Sequence, residues 1–191
     1  MKQLTIKFLI LICALVAATT VGAQTNLLLN GKANSKTEHW HPEEATVEEF
    51  NGDKVFVVRN GGILQQYVQL TDEAIGKYAL FIGLLSSERA NADDKSNTNH
   101  PYLYVFMLAT SAESDGQIMR DDAKSENEWH TIYTIHQVTK EDIKISEMIH
   151  MKCFLYNREK QNVGSVVRFD NLGLYLFEAE KDALEFAKAY K

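Results

Sequence analysis

The chain of 191 residues is 45% hydrophobic and 24% charged, the proportions of an ordinary globular protein, and two cysteines are too few for a disulfide-dense scaffold. Ten glycines and two prolines likewise exclude a fibrous or low-complexity chain. Lysine and arginine number 20 against 26 aspartates and glutamates, so nucleic acid finds no basic footprint to grip.

Residues 1–23 carry the pattern of a cleaved export signal. Lys2 and Lys7 make a short basic start, an uncharged apolar run covers 8–18, and Val21-Gly22-Ala23 offers the small residues a signal peptidase reads. The run is shorter than the roughly 20 apolar residues needed to span a bilayer, so no membrane span is expected after cleavage. Leu11 and Ile12 precede Cys13 where a lipid-attachment site wants small residues, so Cys13 leaves with the signal. Cleavage near Ala23 predicts a secreted or periplasmic protein beginning at Gln24, and losing Lys2 and Lys7 takes the formal charge from −6 to −8. Cys153 is then the one remaining cysteine, which excludes an intramolecular disulfide.

From residue 25 onward the periodicity is that of strands. Segments 55–59, 63–70, 77–85, 101–109, 129–138, 149–156 and 166–177 are rich in β-branched and aromatic residues. Turn signals lie between them at Asn51-Gly52-Asp53, Asn60-Gly61-Gly62, Asp115-Gly116 and Asn162-Val163-Gly164. Short strands without intervening helical periods predict one antiparallel sandwich or barrel over 24–177.

Leu64, Gln66, Val68 and Leu70 alternate with Gln65, Tyr67 and Gln69, the mark of one buried and one wet face. Ile149, Met151, Cys153 and Leu155 alternate with His150, Lys152, Phe154 and Tyr156 in the same way, which makes Cys153 a small buried hydrophobe. Residues 102–108 are apolar on both faces and predict a central strand, covered on both sides by protein or, on one side, by ligand. The acidic stretches 86–100 and 111–128 read as long surface loops.

Residues 178–191 change period. Ala179, Ala183, Phe186, Ala187 and Tyr190 share one helical face, with Glu178, Glu180 and Asp182 at its start and Lys188 and Lys191 at its end to suit the helix dipole. A C-terminal α-helix packed against the sandwich is expected.

Several short motifs follow one another in a telling order: Asn26-Leu27-Leu28-Leu29-Asn30-Gly31, Trp40, the Gln66-x-Val68-x-Leu70 strand, Gly76-Lys77-Tyr78-Ala79-Leu80, Trp129, and Phe169-Asp170-Asn171-Leu172-Gly173-Leu174. In this order they resemble the galactose-binding-like jelly rolls, in particular secreted carbohydrate-binding modules of bacterial glycan-degrading enzymes. The opening, the Gln-x-Val-x-Leu strand, Leu84-Leu85-Ser86-Ser87 and Trp129 also look like the sugar-recognising domain attached to certain F-box proteins. The resemblance runs from Asn26 to Phe177. It implies an all-β antiparallel sandwich, a carbohydrate partner and, as in several relatives, a structural calcium where first and last strands meet, with Asp170 at a ligating position. The opening departs from that pattern, because Lys32-Ala33-Asn34 stands where relatives often have Asp, an aromatic and Glu.

A sugar-binding face needs aromatic rings lying flat against pyranose C–H groups, with polar side chains for the hydroxyls. Candidate rings are Trp40, Tyr67, Tyr102, Tyr104, Trp129, Tyr133 and Tyr156, with Gln65, Gln69, Asn99 and His100 as polar partners. Tyr102 and Tyr104 share one face of a doubly apolar strand beside His100, and with Trp40 and Trp129 they make the expected site. Three rings at ~1 kcal/mol each and a few hydrogen bonds give roughly −4 to −6 kcal/mol, millimolar to tens of micromolar affinity.

Reactive arrangements are not signalled. The sequence has no Gly-x-Ser-x-Gly elbow, phosphate-binding glycine loop or paired-cysteine zinc motif. His39 and His41 would share one side of an extended segment, yet no third ligand accompanies them, and they read as a surface pair. The adjacent acids Glu43-Glu44, Glu48-Glu49, Asp93-Asp94 and Asp121-Asp122 read as solvated surface rather than a glycosidase couple, which needs two carboxyls about 5–9 Å apart across one sugar. The expectation is a non-catalytic secreted module that binds carbohydrate. Two alternatives stand beside it: a structural or protein-interaction domain of the same fold, and a glycan hydrolase with facing carboxylates.

Overall fold

The computed structural model describes residues 24–88, 103–109, 127–140, 149–157 and 166–191. Seven strands follow in chain order: β1 (His41–Phe50), β2 (Asp53–Leu70), β3 (Tyr78–Glu88), β4 (Leu103–Ala109), β5 (His130–Gln137), β6 (Ile149–Asn157) and β7 (Val166–Phe177). Helix α1 (Glu180–Ala189) ends the chain. Among the described residues every strand pairing is antiparallel.

The sandwich is organised by β2. Its first part pairs with β7 (Phe56 opposite Phe169, Arg59 opposite Val166), while Ile63 to Leu70 pair with β6. β2, with β1 alongside it, thus serves two layers, a larger one ordered β1-β2-β7-β3-β5 and a smaller one ordered β1-β2-β6-β4. Asn60-Gly61-Gly62, expected to be a turn, is instead a bend inside a continuous strand. Gly61 takes a left-handed φ of 76°, and a Cβ on Gly62 would stand 2.5 Å from the Glu43 carbonyl oxygen. The glycine pair therefore lets β2 change layers while pressed against β1, whose register shifts between Glu43 and Ala45.

The β1–β2 hairpin itself was not foreshadowed on its β1 side. Its turn is the expected Asn51-Gly52, with φ of 54° and 91°, the conformation that matches strand twist in a tight hairpin. β1, however, contains Pro42 and Glu43, Glu44, Glu48 and Glu49, residues of low strand propensity that suit an exposed edge. Ala45 and Val47 alone anchor it to the core.

The interlayer core gathers Phe56, Leu64, Phe81, Cys153, Phe169 and Leu174, all fully or nearly fully buried. Gln66 enters this apolar face and satisfies its amide across it: Oε1 accepts the Leu29 N–H at 2.8 Å and Nε2 donates to the Leu29 carbonyl at 3.0 Å. The Cys153 thiol sits in the core as expected, its pKa pushed up by burial.

A bulge in β7 sets which side chains face which way. Ile82 pairs with Gly173 and Leu84 with Asp170, so Asn171 and Leu172 together oppose Gly83, and Asn171 adopts φ 49°. Before the bulge Val167 and Phe169 face the core; after it Leu172 and Leu174 do. Tyr175 and Phe177 are thereby turned outward, where α1 covers them together with Leu80 and Ile82 of β3. Phe186 lies against Tyr175 and Phe177, with ring centroids 4.8 and 5.4 Å away. The Tyr190 hydroxyl donates to the Asn171 carbonyl at 2.5 Å, and Ala183 and Ala187 are buried as the helical period predicts.

Strand β4 corrects another expectation. It is not central: among the described residues its one pairing partner is β6, and it ends the strand order of the smaller layer. No helix of the described residues is long and apolar enough to cross a membrane.

Candidate functional site

The two outer faces of the sandwich are finished differently. Helix α1 covers one part of the larger layer's outer face. The other part carries a cluster in which Arg168 stacks on Phe50, 4.2 Å from the ring centroid, and donates to Glu88 at 2.7 Å and Asn127 at 2.9 Å. Arg59 forms a bidentate pair with Glu48, which holds the Glu48 carboxyl down at about 2. Val55 and Val57, on the outward alternation of β2, are buried on this face.

The smaller layer's outer face has a different character. On β2 the set alternating with the core residues is Ile63, Gln65, Tyr67 and Gln69. Tyr67 is 49% exposed, and among the described residues it and Leu29 are the large hydrophobic side chains left open. His41 approaches its ring edge-on at 5.6 Å between centroids. Gln65, opposite His41 in the register, keeps a buried Oε1 that no described residue satisfies. Tyr67 is opposite Lys152, Gln65 opposite Phe154 and Ile63 opposite Tyr156 on β6. Tyr104 of β4 is in turn opposite Tyr156, and Phe106 opposite Phe154. Aromatic and amide-bearing positions thus recur across four strands in one alternating set.

The predicted site residues do not gather in one place. Trp40 is a core pillar, 5% exposed, its ring tilted against Phe56 at 5.3 Å between centroids and its Nε1 donating to the Asn30 carbonyl at 3.2 Å. Its ring is enclosed by protein and offers no face to a ligand. Trp129 is half-buried on the larger layer, edge-on to Phe50 at 6.2 Å, whereas Tyr104 is on β4 of the smaller layer. Tyr133 packs beneath α1. Tyr102 and His100 lie outside the described residues. Tyr67, one ring among the wider candidates, is the exposed one, and its alternation with Leu64 to Leu70 was the available signal.

The histidine pair is also divided. Asn30 ends the opening segment with φ 53°, and His39 turns the chain with φ 69°, so the segment is not extended. With Trp40 fixed in the core between them, His39 reaches a loop cleft and His41 reaches Tyr67.

Asp170 is half-buried beside the β7 bulge. Burial raises its pKa, opposed by the Asn171 backbone donor; the negative charge of Asp53 raises it further and Lys32 lowers it. Calcium takes about six to eight oxygens, usually with several carboxylates among them. Among the described residues no three acidic, histidine or cysteine side chains converge on one point. The charges that act on Asp170 are the Asp53 carboxylate and the Lys32 ammonium, and the ammonium would repel a calcium ion held there.

No protein-family model matches the chain, and no curated protein matches it by sequence. Solved structures do match by shape. The carbohydrate-binding module TmCBM61, solved with β-1,4-galactotriose, superposes with a TM-score of 0.54 at 12% identity, over 79% of this chain and 98% of that one. A Stig cyclase from Fischerella sp. TAU, solved with an indole-bearing ligand, gives a TM-score of 0.57 at 14% identity, over 83% and 100%. A second cyclase complex from that organism gives 0.50 at 13% identity, over 85% and 93%. The chain therefore has the jelly-roll β-sandwich fold found in carbohydrate-binding modules, closed on one face by a C-terminal helix.

Proposed function

We propose that the protein is a secreted, non-catalytic module that binds carbohydrate on the outer face of its smaller layer. The observation that carries this reading is Tyr67: a half-exposed ring flanked by Gln65 and Gln69 and braced by His41, on an outer face that no helix covers among the described residues. An open ring supplies the flat apolar contact a pyranose wants, and neighbouring amides supply donors and acceptors for its hydroxyls. Tyr104, Tyr156 and Phe154 extend the same alternating set across β6 and β4, long enough for several sugar units. The fold shared with TmCBM61 supports the reading at the level of architecture.

Export is part of the proposal and rests on the basic, apolar and small-residue pattern of residues 1–23. A cleaved signal is checked by N-terminal sequencing of exported protein, which should begin at Gln24.

A glycan array tests the binding reading. Wild-type protein should retain oligosaccharides with millimolar to tens-of-micromolar affinity, Tyr67→Ala should lose at least about tenfold, and Trp129→Ala should bind as wild type. A loss confined to Trp129→Ala would move the site to the larger layer. No glycan signal at all would favour the protein-interaction reading.

A second reading draws on the cyclase likeness. The same fold holds indole-bearing molecules in those proteins, so an aromatic small molecule is the alternative ligand for the Tyr67 face. Competition between an indole and a bound oligosaccharide separates the two.

A further inference from the structure

The loop between the opening segment and β1 forms a cleft of about 340 Å³ lined by Leu29, Asn30, Gly31, Lys32, Asn34, Ser35 and His39. That volume is at the low end of the range for small-molecule sites. The loop is held rigidly from behind. Leu28, Ala33 and Trp40 are its three buried anchors, and the Leu172 N–H donates to the Gly31 carbonyl at 2.9 Å. Gly31 is pressed so close to β7 that a Cβ would stand 2.0 Å from the Leu172 carbonyl oxygen.

Within the loop, Asn30 spends its side chain on structure. Its Nδ2 donates to the Lys36 and Glu38 carbonyls at 2.8 and 3.2 Å, and its Oδ1 accepts the Ser35 N–H at 3.0 Å. The groups facing the cleft are in the opposite condition. Lys32 makes no close ion pair among the described residues, its charge acting on Asp170 only from a distance. The side chains of Asn34 and Ser35 form no hydrogen bond there either, and His39 touches Glu38 only at 3.8 Å. Leu29, 55% exposed, adds an apolar wall. A concavity on a backbone held from behind, with an exposed ammonium, a free amide, a free hydroxyl and one apolar side, offers groups that suit a small polar anion, although those exposed side chains must still be ordered on binding and Asp170 shares the field of Lys32.

We infer that this cleft is a binding site separate from the Tyr67 face, and that it takes a sugar acid, with the carboxylate on Lys32 and the ring hydroxyls on Asn34 and Ser35. The carboxylate gains a charge-assisted bond that the neutral sugar cannot make. The inference stands whether or not the Tyr67 face binds neutral glycans, because no residue is shared between the two.

Titration calorimetry on the full protein tests it with D-galacturonic acid, D-galactose and acetate as probes. Galacturonate should bind about tenfold or more tightly than either of the others. Lys32→Met should abolish that preference, Lys32→Arg should keep it, and Tyr67→Ala should leave it unchanged. Equal binding of galactose and galacturonate, or acetate matching galacturonate, overturns the assignment. A preference that survives Lys32→Met, or one lost in Tyr67→Ala alone, overturns it as well and places the ligand elsewhere.

Discussion

Asp170 illustrates how a single side chain reports its position in this fold. The β7 bulge leaves it half-buried, and desolvation outweighs the backbone donor at Asn171, so its pKa lies above the ordinary aspartate value. A raised pKa means that the folded state binds the proton more tightly than the unfolded chain does. The stabilising contribution is complete below the unfolded value of about 3.9 and is lost as pH rises through the higher folded value. Asp170→Asn keeps an acceptor for the Asn171 N–H and cannot ionise. Thermal unfolding should therefore show the variant more stable than wild type at neutral pH, with the difference closing below about pH 4. A difference independent of pH would mean that burial of the charge is not what sets Asp170 apart. Trp40 makes the complementary point: two neighbouring histidines reach solvent because the ring between them is fixed in the core by Phe56 and the Asn30 carbonyl.

At the scale of elements, the decisive feature is the bend in β2. Because Gly62 meets the backbone of Glu43 and Glu44, Gly62→Ala has no flexible side chain to push aside and must displace β1. The expected cost is about 1–3 kcal/mol in denaturant unfolding, with increased amide exchange in β1. An unchanged midpoint would show that β1 is not held against β2 at Gly62. The strands rich in β-branched and aromatic residues were legible in the sequence because their propensity and their burial agree, and so was α1, whose alanine and aromatic face matches its packing. Three features were hidden for physical reasons. β1 is an acidic edge with a proline, so propensity speaks against it. The glycine pair in β2 has the composition of a turn, and only the two pairing partners on either side of it reveal a bend. β4 is apolar on both sides, yet among the described residues it pairs with β6 alone, with Tyr104 opposite Tyr156 and Phe106 opposite Phe154.

Across the whole molecule the outer faces divide the work. The larger layer is closed by α1 over Leu80, Ile82, Tyr175 and Phe177 and by the Phe50–Arg168–Trp129 cluster beside it. The smaller layer leaves Tyr67 open among amides and aromatic positions. This asymmetry could not be read from the chain before folding, because Trp40, Trp129, Tyr67 and Tyr104 are equally aromatic in sequence and only the topology sends them to three different places. Amide chemical-shift mapping with a β-1,4-linked galactose oligosaccharide tests the division most directly. The account predicts shifts concentrated in β2 from Ile63 to Gln69 and in β6 opposite them, saturating on titration and absent in Tyr67→Ala. Shifts centred on Trp129, Phe50 and α1 would contradict it.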